Sequence, residues 1–148
     1  MIINMVKNIK VIHSNDLLLV KIGSFYHAYG KDAYILSYLF GYKIITVEGN
    51  LATCGFPIQG LNRVIATLEQ RKINYLAVDR KNNYETDLIF DYGNLNVYKE
   101  IYEKAKIYIN YKRRIDEIQN YLLENIQDEK FKLILSKMEE VINERRKI

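Results

Sequence analysis

Apolar residues recur along this chain with two different rhythms, and the change of rhythm divides it. In the first two thirds, short apolar runs alternate with segments of helical spacing. "DLLLVKIG" is an apolar run of strand length that stops at Gly23. "YGKDAYILSYLFG" then sets Ala33, Leu36, Leu39 and Phe40 at helical intervals, with Gly41 as a natural C-terminal stop. "YKIITVEGNLATCGF" predicts two strands around a Gly49-Asn50 turn. After Pro57, "GLNRVIATLEQRK" gathers Leu61, Val64, Ile65 and Leu68 on one helical face, and "NYLAVDR" and "YETDLIFDYG" bracket a second turn at Lys81-Asn82-Asn83. The order read this way is β-α-β-β-α-β-β, the pattern of an α/β domain with a mixed sheet flanked by helices.

From Val97 the rhythm becomes purely helical. Ile101, Ala105, Tyr108, Tyr111, Ile115, Ile118, Leu122 and Ile126 follow one another at three- and four-residue steps, a narrow stripe on a long amphipathic helix. "QDEK" predicts a reversal, with Asp128 capping a second helix whose stripe is Phe131, Ile134, Leu135, Met138, Val141 and Ile142. All 7 glycines and the single proline lie between Gly23 and Gly93, and the 55 residues beyond contain neither. The expected organisation is an α/β domain over residues 1–95 and a helical hairpin over 96–148.

Composition narrows the chemistry. At 148 residues, 49% hydrophobic and 27% charged, the chain has the makeup of a globular domain able to bury a core. The net charge of +4 is compatible with nucleic acid. It is spread evenly, with 10 basic and 8 acidic residues through Leu95 and 12 and 10 after it. The lone Cys54 excludes an internal disulfide and a cysteine zinc cluster, and His13 and His27 are too few for a multi-histidine metal site. The first residues, broken by Lys7 and Lys10, do not read as a signal peptide, and no apolar run approaches a membrane span, so a cytoplasmic protein is expected.

"KIGSFYHAYGKD" is the stretch that asks for a function. A phosphate-cradling P-loop places a glycine five residues before its glycine-lysine pair and a hydroxyl after it. Here Phe25 stands at the first position and Asp32 follows Lys31, so the P-loop fails. Cys54 sits in an expected strand and reads as a buried structural thiol, and Asp79, Asp87 and Asp91 follow no metal-binding pattern. The chain reads as a non-enzyme without cofactor.

The segment from Asp16 to Gly41 resembles the opening of the N-terminal mismatch-recognition domain of the DNA mismatch-repair protein MutS: an apolar strand, G-D-F-Y-E-L-F, an acidic segment, Asp-Ala and a helix. Gly23, Phe25, Tyr26, Asp32 and Ala33 fall in register with it. "CGFPIQGLNRVIATLEQRKINYLAVDR" resembles that family's G-[IV]-P-Y-H-A block, helix and strand through Gly55, Pro57, Leu68 and Ala77-Val78. The resemblance spans about Asp16 to Arg80 and leaves out the C-terminal helices.

It implies a domain that contacts DNA or RNA, with Phe25 as the ring that stacks on a base and Tyr26, His27, Lys21 and Lys31 around it. His27 stands where the family has glutamate, so the carboxylate acceptor for a mispaired base is replaced by an imidazole. The family's ATP-hydrolysing domain has no counterpart here. Small proteins resembling this domain act as accessory factors of diversity-generating retroelements, which implies a reverse transcriptase or other polymerase as partner. The alternative is an assembly subunit that docks a protein through its C-terminal helices, or pairs with a second copy, without nucleic-acid recognition. Lys112-Arg113-Arg114 and Arg145-Arg146-Lys147 could meet phosphates, but nearby acidic residues favour pairing on a solvated helix face.

Overall fold

The computed structural model describes residues 2–93 and 95–147. Five helices, α1 (Ile2–Ile12), α2 (Lys31–Phe40), α3 (Leu61–Gln70), α4 (Leu95–Glu124) and α5 (Phe131–Arg146), accompany six strands. These are β1 (Leu17–Ile22), β2 (Phe25–Tyr29), β3 (Ile45–Val47), β4 (Leu51–Pro57), β5 (Tyr75–Asp79) and β6 (Glu85–Phe90). The strands form one sheet in the order β3-β4-β2-β1-β5-β6, with β1 and β5 parallel and all other pairs antiparallel. The mixed sheet, α2, α3, the two hairpins and the C-terminal helix pair agree with the sequence reading.

Two elements escape that reading. α1 is an amphipathic helix whose Ile2, Val6 and Ile9 share one face. β2 intervenes between β1 and α2, so Phe25 opens a strand and does not sit at a strand-to-helix junction. The reason is local. Three of the five β2 residues are aromatic or imidazole side chains on the outward face, and they mask the apolar-polar alternation that marks a half-buried strand.

The sheet is covered unequally. One face packs α2, α3 and the first turns of α4 against the centre of the sheet, with Leu17, Leu19, Phe56 and Ala77 meeting Ile35, Leu36, Val64, Leu68, Tyr98, Ile101 and Ala105. On the other face α1 covers Leu18, Val20, Leu76 and Val78. β1 and β5 are therefore buried on both sides, which explains their unbroken apolar runs. The edge strands carry more exposed residues, including Ile45 and Ile89.

Asp32 at the start of α2 organises one end of this assembly. Its carboxylate accepts hydrogen bonds from the Leu18 amide, the Lys10 ammonium at 3.1 Å and the Tyr98 hydroxyl at 2.6 Å. One carboxyl thus ties α1, β1 and α4 to α2, and a fully buried acid keeps its partners. Burial pushes its pKa up from the ordinary carboxylate value, against the pull of Lys10, Tyr98 and the amide. Cys54, buried in β4, donates its thiol to the Ala33 carbonyl, and burial pushes its pKa up to about 12. Such a thiol is inert as a nucleophile at neutral pH.

The chain divides into two compact units, one ending at Ile109 and one starting at Asn110, so the boundary falls inside α4. In the second unit no described residue is buried. Lys112 pairs with Asp116 and Arg113 with Glu117 one turn on, as expected for a solvated face. Between the two helices Asp128 accepts the Lys130 amide just ahead of α5. Ile115, Ile118, Leu123, Ile126, Leu133 and Val141 remain largely exposed. No helix among the described residues is long and apolar enough to cross a membrane.

Candidate nucleic-acid interface

The β1–β2 hairpin is built around Gly23-Ser24. Gly23 adopts a φ of +61° in open space, a conformation that costs glycine little, and the turn closes on the pair Ile22 and Phe25. From there β2 alternates. Tyr26 and Ala28 point into the core, while Phe25, His27 and Tyr29 lie on the opposite face of the sheet. Phe25 is 43% exposed, and its strand neighbours across the ladder are Ile22 and the exposed Pro57.

The three outward rings form a row. Ring centroids are 6.3 Å apart between Phe25 and His27 and 6.4 Å between His27 and Tyr29. That spacing follows from the strand, which advances about 6.8 Å per two residues. Gly55 on β4 lies directly across from His27, and the imidazole occupies the space above it. A Cβ at residue 55 would meet Nδ1 of His27 at 2.9 Å and Cε1 at 3.1 Å. The glycine therefore serves close approach here, giving the ring somewhere to lie. Partial burial lowers the His27 pKa below its ordinary 6.5, so the ring is neutral at pH 7 with one nitrogen donating and one accepting.

The other residues singled out in the sequence go elsewhere. Tyr26 is buried, its ring stacked 5.7 Å from that of Phe56, and burial followed by Asp87 and Asp79 raises its pKa. It holds β2 onto the core and offers no surface to a ligand. Lys21 pairs with Tyr26 across β1 and β2 and shares its face, turned away from Phe25. Lys31 opens α2 with its ammonium 5.1 Å from the Tyr102 ring centroid. The structure brings together Phe25 and His27, and places Tyr26, Lys21 and Lys31 apart from them.

Two members of this surface were not legible in the sequence. Tyr29 heads the segment "YGKDAYILSYLFG" that reads as helical, but it belongs to β2, and the period of two is what links it to Phe25 and His27. Arg80 follows β5 and lines a groove of about 370 Å³ beside Tyr29, together with Ile2, Ile3, Val47 and Glu48. Burial raises the Tyr29 pKa, as does Tyr84 beside it, while Arg80 lowers it. Only the pairing of β1 with β5 brings position 80 round to this face, and that pairing is long-range.

Among the described residues, no three His, Cys, Asp or Glu side chains gather as a metal site. Compared with known proteins, the chain matches no curated protein. The family pattern of MutS domain I does match, over residues 2–90, from the start of α1 to the last residue of β6. It takes in both blocks that carried the resemblance and the helix that precedes them. With three fifths of its length and the whole sheet inside that match, the chain belongs to the MutS domain I family.

Proposed function

We propose that this protein binds nucleic acid without catalysing a reaction, presenting Phe25 to stack on a base, and that it works beside a larger nucleic-acid-processing enzyme such as the reverse transcriptase of a diversity-generating retroelement. The observation that carries the first part is an exposed phenylalanine fixed on a two-residue hairpin, in a domain of a family built for recognition. A ring held there costs little entropy to immobilise and can stack on any base, which is how wedges and single-strand platforms work. His27 replaces the family's carboxylate with a neutral ring, so stacking carries over more readily than mismatch discrimination.

Phe25→Ala tests this directly. Binding of a labelled oligonucleotide is expected to weaken by about 1–3 kcal/mol, the worth of one stacked base. Stability is expected to fall by less than about 1 kcal/mol, because the ring is not part of the core. A loss of stability near the 3–5 kcal/mol typical of a buried phenylalanine, with binding by the folded fraction unchanged, overturns the proposal.

A second reading is favoured by a separate observation: from Asn110 on, the helical hairpin buries none of its described residues, and Ile115, Leu123, Leu133 and Val141 are each about 60% exposed or more. Such a surface suits docking on a protein partner or on a second copy. Light scattering is expected to show a concentration-dependent mass if the surface pairs with itself, and a constant monomer mass assigns it to a different protein.

A further inference from the structure

The row of rings on β2 has a spacing that selects among nucleic acids, and the inference from it rests on the nucleic-acid reading above. In a duplex, successive bases on one strand are stacked about 3.4 Å apart. The rings of Phe25, His27 and Tyr29 stand 6.3 and 6.4 Å apart, nearly twice that rise. A duplex can bring at most one base to the row unless it is unstacked, whereas a single strand with splayed bases can lay consecutive bases on consecutive rings.

The surroundings fit a strand running along β2. α1 covers β1 and β5 on this face and leaves Phe25 and Pro57 exposed and His27 and Gly55 half-exposed. Gly55 gives the track its flat floor, since any side chain there would displace His27. At the Tyr29 end, Arg80 is exposed and makes no salt bridge among the described residues, so its guanidinium is available to a phosphate. Glu48 in the same groove opposes an anion and confines the phosphate to the Arg80 side.

We propose that the outward face of β2 is a track for single-stranded nucleic acid, in which Phe25, His27 and Tyr29 each take one base and Arg80 holds a phosphate. Tyr29 and Arg80 are the residues this adds to Phe25 and His27.

The test compares fluorescein-labelled 12-nucleotide oligo(dT) and oligo(U) with a fully paired and a mismatched 12-base-pair duplex, using the full chain. The single strands are expected to bind at least tenfold more tightly than either duplex. Tyr29→Ala is expected to weaken single-strand binding about 5- to 150-fold, the range for one lost stacking contact. Arg80→Gln is expected to flatten the dependence of log affinity on log salt by about 0.7, the slope for one phosphate on a single strand.

Because Tyr29 also packs beside α1, Tyr29→Trp keeps a ring in place and supplies the chain's only tryptophan. Its fluorescence is expected to be quenched as oligo(dT) binds. Tight binding without quenching overturns the track. Preference for the mismatched duplex overturns it while leaving the stacking role of Phe25 standing. Failure to bind any of the four probes overturns both.

Discussion

The α/β domain and the helical extension are built from similar materials and end in opposite states. Both parts are basic and rich in apolar side chains at regular intervals. In the domain Leu17, Leu36, Val64 and Leu68 are completely buried, whereas in the extension Ile118 and Ile126 stay about half exposed. The contrast is sharpest within α4, where Ile101 and Ala105 are core residues and Ile115 and Ile118, continuing the same stripe, are not. Periodicity specifies which side chains share a face, but burial needs an opposing surface. A sheet with two apolar faces supplies one to the domain, and two helices of this length cannot supply it to each other in full.

The largest effect that could break this comparison lies at Asp32. Asp32→Ala leaves the buried Tyr98 hydroxyl and the Leu18 amide without their acceptor and Lys10 with only the Asp16 carbonyl, and is expected to cost about 3–5 kcal/mol, the range for a broken buried pair. Chemical denaturation measures it. Amide exchange of Tyr98–Ala105 is expected to quicken at the same time, because those turns of α4 belong to the domain. Unchanged protection there would place the start of α4 with the extension.

Next comes a matched pair of truncations. Leu36→Ala in the domain is expected to lose about 2–5 kcal/mol, and Ile118→Ala in the extension less than about 0.5 kcal/mol in dilute solution. Should Ile118→Ala prove as costly as Leu36→Ala at higher protein concentration only, the stripe is covered by a second copy.

The smallest effect sharpens the domain's side of the contrast. His27 has a lowered pKa in the folded chain, so the unfolded chain binds its proton more readily. Stability is present above the ordinary value of 6.5 and is lost as pH falls through the lowered folded value. His27→Gln is expected to remove that slope, which chemical denaturation at pH 5 and at pH 8 reads out. A slope that persists in the variant belongs to another group.

Much of this fold could be read in advance, for physical reasons that differ by element. α2 and α3 bury one clear face each, and the β3–β4 and β5–β6 turns carry glycine or asparagine in left-handed conformations at Gly49, Asn50 and Asn83. β2 hid because its outward positions are rings, and α1 because its apolar face is spelled by three isoleucines and valines spread over eight residues. Phe25 and His27 were visible through the resemblance, but their grouping with Tyr29 needed the strand period, and Arg80 needed the β1–β5 pairing. Tyr26 looked like a neighbour of Phe25 in sequence and lies on the other side of the sheet, the ordinary consequence of a one-residue step in a strand.

The hydrogen bond from Tyr98 to Asp32 also bears on where this fold can be cut. The family match stops at residue 90, the last residue of β6, which makes that position the obvious place to end a shortened chain. Such a chain would lack Tyr98, Ile101 and Ala105, three residues of the main core, and would leave Asp32 facing an opened cavity. The minimal autonomous piece therefore has to run past Ala105, into the helix that the family pattern does not include.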